Sequence, residues 1–143
     1  MSKAPSQKQI NIFLQYFNKK NYFEAEKLAI ALTKEFPQHS FGWKALAVIF
    51  KNKGKTSDSL KANVRALKID PNDFESHFNL GNTLKVLNKL EDSEASYQKA
   101  ISINPNFADA YNNLGIVLRE LNRLNDSEAS YQKAISINPN FAD

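Results

Sequence analysis

Asp92–Phe107 (DSEASYQKAISINPNF) returns letter for letter as Asp126–Phe141, 34 residues further on. A repeat of this period is the mark of a stacked array, in which each unit buries its apolar face only against its neighbours. Function in such an array lies on its surface. The first expectation is therefore a binding protein and not an enzyme.

The repeat can be followed backward from its prolines. Pro37, Pro71, Pro105 and Pro139 are spaced by 34 residues and divide the chain into units 6–39, 40–73, 74–107 and 108–141. Each unit reads as two helices. In the fourth, Tyr111, Leu114, Gly115 and Leu118 recur three to four apart, and Ala129, Tyr131, Ala134, Ile135 and Ile137 form a second apolar stripe. Leu121–Asn125 is expected to be the polar turn between them. Asn138-Pro139 stops the second helix, because proline lacks an amide hydrogen and disfavours helical geometry in the residue before it. Helices of about 14 residues, roughly 21 Å long, are expected throughout.

These residues carry a family pattern. Units three and four read His77/Leu80/Gly81/Leu84/Ser93/Tyr97/Ala100/Pro105 and Tyr111/Leu114/Gly115/Leu118/Ser127/Tyr131/Ala134/Pro139. The second reads Trp43/Leu46/Ala47/Phe50/Ser59/Asn63/Ala66/Pro71, and the first is more degenerate, with Ile12, Phe13, Tyr16, Ala25, Ala29, Leu32 and Pro37. The pattern resembles the tetratricopeptide repeat. That resemblance covers nearly the whole chain and implies an all-α, right-handed α-solenoid of four helix-turn-helix units forming a single domain over residues 1–143. Gly or Ala at 47, 81 and 115 permits close helix approach, and Tyr97 and Tyr131 fill the space between successive units. Phe13 is too bulky for that approach, so the first helix pair is expected to be splayed or shifted. Asn63, where an aromatic belongs, is a second local departure.

Composition narrows the function classes. With 42 % apolar and 24 % charged residues the chain is an ordinary globular one. No apolar stretch approaches the roughly 20 residues that span a bilayer, and MSKAPSQKQINIFLQ lacks the hydrophobic run of a secretory signal. Cysteine is absent, removing disulfide and thiolate chemistry, and a cytoplasmic location is expected. Neither His39 nor His77 has a histidine at metal-ligand spacing, and the glycines at 42, 54, 81 and 115 form no phosphate loop. The resemblance puts His77 at an aromatic position, and His39, following a proline, is expected on the surface. Glu91, Asp92, Glu94, Asp126 and Glu128 open second helices, where negative charge complements the helix dipole. No catalytic residue, cofactor or metal is expected.

In arrays of the resembled family the first helices line a concave groove. Its sixth place falls here on Asn11, Ala45, Asn79 and Asn113. The recurrence is similar to the asparagine ladder of O-linked N-acetylglucosamine transferase arrays, which implies capture of an extended peptide by its backbone, since an amide side chain offers both donor and acceptor. Phe41, Lys44, Phe78, Asn82, Lys85, Asn112 and Arg119 are expected to surround it and supply selectivity. The chaperone-tail carboxylate clamp does not fit: only Lys44 and Asn79 match it, and Asp109 would repel a terminal carboxylate. The expected partner is thus a protein or peptide segment. The alternative is the targeting or assembly region of a larger, glycosyltransferase-like enzyme.

Charge is divided unevenly. Residues 1–73 hold 13 Lys and Arg against 6 Asp and Glu, or +7, whereas residues 74–143 hold 6 against 9, or −3. Lys19, Lys20, Lys51, Lys53 and Lys55 suggest a basic edge, but no aromatic platform or nucleic-acid motif accompanies it, so nucleic acid is not expected. Asn140-Phe141-Ala142-Asp143 repeats Asn106-Phe107-Ala108-Asp109, as though a further repeat were beginning. The expectation is a fragment of a longer array, or a homodimer formed through Tyr131 and Ile135 at an open C-terminal end.

Overall fold

A computed structural model describes residues 3–142 of the chain. Among them are eight α-helices, one short 3-10 helix and no strand. Packing divides the chain into two compact units, one ending at Pro71 and the other beginning at Asn72. The first holds α1 (Gln7–Asn18), α2 (Tyr22–Glu35), α3 (Ser40–Asn52) and α4 (Thr56–Ile69). The second holds α5 (Phe74–Val86), α6 (Leu90–Ile103), α7 (Ala108–Glu120), α8 (Leu124–Ile137) and η1 (Pro139–Ala142). No helix among the described residues is long and apolar enough to cross a membrane.

The 34-residue period is therefore a period of helix pairs, with two adjustments to the expected bounds. First helices are 12 or 13 residues long, not 14. Leu124 and Asn125 lie in α8, so the last inter-helix turn is confined to Leu121–Arg123. The turn is this tight because every first helix ends in the same two-bond lock. In the second unit Asn88 N–H donates to Lys85 O (2.9 Å) and Lys89 N–H to Leu84 O (2.9 Å). The same pair of bonds recurs at Lys20/Asn21, Gly54/Lys55 and Asn122/Arg123. This Schellman geometry requires a left-handed residue, and Lys20, Gly54, Asn88 and Asn122 all have φ between 58° and 74°. Second helices end in the opposite manner. Phe36, Asp70, Asn104 and Asn138 sit before the four prolines with φ near −130° and positive ψ, driven from helical space by the following ring.

Within a pair, residue size is conserved across the two helices, not position by position. A Cβ on Gly81 would lie 2.6 Å from the Tyr97 ring, and one on Gly115 would lie 2.8 Å from the Tyr131 ring. Where Ala47 replaces glycine, the facing residue is the smaller Asn63, which is fully buried. In the first pair the exchange is complete, because Phe13 faces Ala29 and both are buried. The bulk has moved from the second helix to the first. Phe13 then stacks on Phe17 (5.8 Å) and meets Phe41 edge-on (5.6 Å). The backbones of α1 and α2 approach closely at fewer places than those of the other three pairs, in keeping with the splaying expected from the size of Phe13. A small apolar cleft, lined by Ile12, Leu28, Ala31 and Leu32, opens between them.

The other three pairs share a buried clip. Ser59, Ser93 and Ser127 donate their hydroxyls to Ala47 O (2.8 Å), Gly81 O (2.7 Å) and Gly115 O (2.6 Å). In the first pair that place is Ala25, which has no hydroxyl to donate. Gly42, Ser76 and Ala110 share the third place of their repeats, and all three are small and buried; within the first unit a Cβ on Gly42 would lie 2.9 Å from Thr33 of α2.

Candidate functional site

The first helices α5 and α7 lie beside one another in the second unit and bring Asn82 and Asn113 together over Tyr97 of α6. Asn82 Oδ1 accepts from the Tyr97 hydroxyl (2.6 Å) and from Asn113 Nδ2 (2.9 Å). Tyr97 is fully enclosed, packed against Leu114, Val117 and Leu118 of α7. Burial pushes its phenol up to about 12, opposed by hydrogen bonding from Ser93 and Asn113, so the hydroxyl is a neutral donor at physiological pH. The cluster leaves two polar capacities unused among the described residues: the Asn82 amide hydrogens and the Asn113 carbonyl oxygen. Asn79 is half-buried, and its side-chain amide has no partner among the described residues.

The expected groove residues of this unit thus fall into two sets. Asn79, Lys85, Asn112 and Arg119 are half-buried or exposed on first helices, with Lys85 and Arg119 each in a last turn. Their charges there complement the helix dipole, a role that needs no ligand. Asn82 and Phe78 serve the interior. Asn82 is only 8 % exposed, and Phe78 joins Phe107 (4.7 Å) and Tyr97 (5.8 Å) in an aromatic cluster. Asn113 stands between, with one end spent on Asn82 and the other free.

In the first unit the corresponding residues are more dispersed. Asn11 is exposed and accepts a bond from Gln7 Nε2 (2.9 Å) within its own helix. Phe41 packs on Phe13, and Lys44 is half-buried. Ala45, at the ladder's place, is buried in the core. His39 has a role that sequence reading missed, its Nδ1 accepting from Phe41 N–H (3.2 Å) to cap α3. Of the basic edge, Lys53 is tied to Glu26 at 2.5 Å.

The role of Asn82 had one visible signal. It stands alone at its place, where the neighbouring repeats have Val48 and Ile116, and a polar residue appearing once opposite a buried tyrosine suggests a local partner. No group of three or more His, Cys, Asp or Glu suited to a metal occurs among the described residues. Tyr131 and Ile135 lie on α8, half-buried and exposed respectively.

Family comparison fits this architecture. A TPR repeat model matches residues 85–119, and tetratricopeptide repeat models match residues 64–95 and 108–141. Together they run over more than half of the chain. The chain is a tetratricopeptide-repeat protein. No curated protein matches it. Among solved structures, MamA from Desulfovibrio magneticus RS-1 is similar, with TM-score 0.85 and 19 % identity over 97 % of this chain and 77 % of its own. PilF of Pseudomonas aeruginosa has TM-score 0.85 and 20 % identity over 92 % of this chain and 60 % of its own. YrrB, described as a TPR protein with an unusual peptide-binding site, has TM-score 0.80 and 21 % identity over 92 % and 68 %. At such identities the likeness is one of fold.

Proposed function

We propose that this tetratricopeptide-repeat chain is a protein-interaction scaffold that captures an extended protein segment along α5 and α7, and that it binds without catalysing. The observation that carries this reading is the set of unspent amide groups on adjacent first helices. Asn79 offers a donor and an acceptor, Asn82 a donor and Asn113 an acceptor, the complement of successive peptide units. A half-buried amide without a partner gains more from a ligand hydrogen bond than an exposed one, because its competing water is fewer. Because Asn113 is held by Asn82 and Asn82 by Tyr97, the row is already ordered before a ligand arrives, which lowers the entropic cost of binding. The arrangement is similar in kind to the asparagine ladder of the O-linked N-acetylglucosamine transferase arrays, limited here to two repeats.

Lys85 and Arg119 occupy the same place in consecutive repeats, near the ends of the two helices. They select for a segment carrying carboxylate side chains in register with them. The test is a random peptide library selected against the folded chain, followed by calorimetric titration of the winning sequences. Asn79→Ala is the informative variant, since its side chain holds nothing else in place. A loss of fivefold or more in affinity with unchanged stability supports the reading, and equal affinity refutes it.

A further inference from the structure

The second helices α2 and α4 carry the same motif on their outer faces. Lys27, Ile30 and Lys34 stand at the places where the next repeat has Lys61, Val64 and Lys68, and all six are exposed. The corresponding places of α6 and α8 are exposed too, but there they hold alanine, glutamine and serine. Exposure here is therefore a property of every helix pair, wherever it stands in the chain. What distinguishes the first unit is the chemistry written on that face.

The fold asks for none of it. Lys34 and Lys68 lie in last turns, where a cation complements the helix dipole, yet α6 and α8 form at the same length with no basic residue in theirs. Ile30 and Val64 remain 37 % and 40 % exposed, so neither is committed to the core. Lys34, Lys61 and Lys68 have no carboxylate within ion-pair distance among the described residues. Lys27 reaches Glu24 at 3.8 Å, a contact open to water, and its ammonium also lies 5.2 Å from the ring of Phe23, which is 69 % exposed and extends the stripe by a turn. The acid at Glu24 and Asp58 recurs as Asp92 and Asp126 in the second unit, so it is no part of the difference.

Spacing describes the partner. Two lysines seven residues apart are separated by about 10.5 Å along a helix, with the β-branched residue between them. α2 and α4 both pack on α3 and are each joined to it by a short connection, so the two stripes run in the same direction on either side of it. A helix bearing carboxylates seven residues apart, with an apolar residue between each two, repeats this pattern with opposite charge. A bilayer fits less well, because one β-branched side chain between lysines, with an acid in the first turn of each helix, gives little depth of insertion. Ile30 and Val64 offer no platform on which a nucleic-acid base could stack.

We infer that the outer face of α2 and α4 docks an acidic amphipathic helix of a partner protein. Its carboxylates meet Lys27, Lys34, Lys61 and Lys68, and its apolar residues cover Ile30 and Val64. This site is separate from the amide row on α5 and α7 and does not depend on that reading.

The probe is a fluorescently labelled, end-capped peptide of three Glu-Ala-Ala-Leu-Ala-Gln-Ala heptads, titrated against the whole chain at physiological ionic strength and followed by anisotropy. Saturable binding is expected. An exchange variant gives the first unit the outer face of the second: Lys27→Ala, Ile30→Gln, Lys34→Ser, Lys61→Ala, Val64→Gln and Lys68→Ser. It should weaken binding at least tenfold while circular dichroism verifies its folding, since α6 and α8 already carry these residues. Serine in place of the peptide's leucines should weaken binding several-fold, and Asn79→Ala should leave it unchanged. No saturable binding, binding that survives the exchange, or binding indifferent to the leucines overturns the proposal. So does co-sedimentation of the chain with phosphatidylserine-containing vesicles that the exchange abolishes, for the face then belongs to a bilayer.

Discussion

Gly81→Ala and Gly115→Ala are the same substitution at the same place in consecutive repeats, facing tyrosines in identical helical contexts, yet their effects should differ by about 2 kcal/mol. In both, replacing a mid-helix glycine contributes about 1 kcal/mol of stability through backbone propensity. Against this stands the added methyl group. At Gly81 it lies 2.6 and 2.7 Å from ring carbons of Tyr97, about 1 Å inside ordinary contact. That ring cannot yield: Leu114, Val117 and Leu118 close it in, and its hydroxyl is held by Asn82 at 2.6 Å. Overpacking of a confined site costs about 3 kcal/mol, leaving a net loss of about 2 kcal/mol. At Gly115 the corresponding distance is 2.8 Å, but Tyr131 is half-buried and its hydroxyl has no partner among the described residues. The ring swings aside at a cost of about 1 kcal/mol, and the net effect is close to zero. Urea unfolding followed by circular dichroism distinguishes the two. With a slope of about 2 kcal/mol per M, the midpoint falls by about 1 M for Gly81→Ala and hardly moves for Gly115→Ala. Equal shifts would refute the claim that confinement of the tyrosine, and not its mere presence, fixes the glycine.

Other outcomes follow from the same packing. Lys20 adopts a left-handed conformation at φ 59°, costly for a side chain with no local hydrogen bond to favour it, so Lys20→Gly should stabilise the chain by about 0.5–1 kcal/mol in the same urea assay; a lowered midpoint contradicts this. Removing the buried Ser93 hydroxyl, which donates to Gly81 O, should cost about 1–2 kcal/mol in Ser93→Ala, and a neutral result would show that the clip contributes nothing. Tyr97 has a folded pKa of about 12 against an ordinary value of 10.0. Its contribution is therefore intact below pH 10 and is lost as pH rises toward 12, at up to about 1.4 kcal/mol per pH unit. Tyr97→Phe should flatten that decline in alkaline urea titrations, and an unchanged slope would exclude Tyr97 as its source.

Much of the architecture is legible because the period is written in residues that cannot be exchanged. The four prolines fix where second helices end, and Gly81 and Gly115 mark where a tyrosine lies across the pair. The left-handed turn position was hidden, since Lys20, Gly54, Asn88 and Asn122 share a conformation and not a side chain. Volume compensation was half visible: Phe13 was recognisable as too large, but its meaning appears only when it is paired with Ala29. The site was harder to read because position within a repeat predicts which face a residue occupies, not what it touches. Asn82 sits on the same helix as Asn79, yet its carbonyl oxygen faces Tyr97 and is spent on the interior, leaving Asn79 as the member of the row with both ends of its amide unspent among the described residues.

The central claim is that ligand recognition runs along the polar row of α5 and α7. Its most direct test is amide-resolved NMR of the folded chain during titration with a library-selected peptide. The account predicts chemical-shift changes centred on Asn79, Lys85, Asn112, Asn113 and Arg119, with side-chain amide signals of Asn79 and Asn113 moving as the peptide saturates. Changes confined to α8, to the cleft between α1 and α2, or to the lysines of the first unit would contradict it.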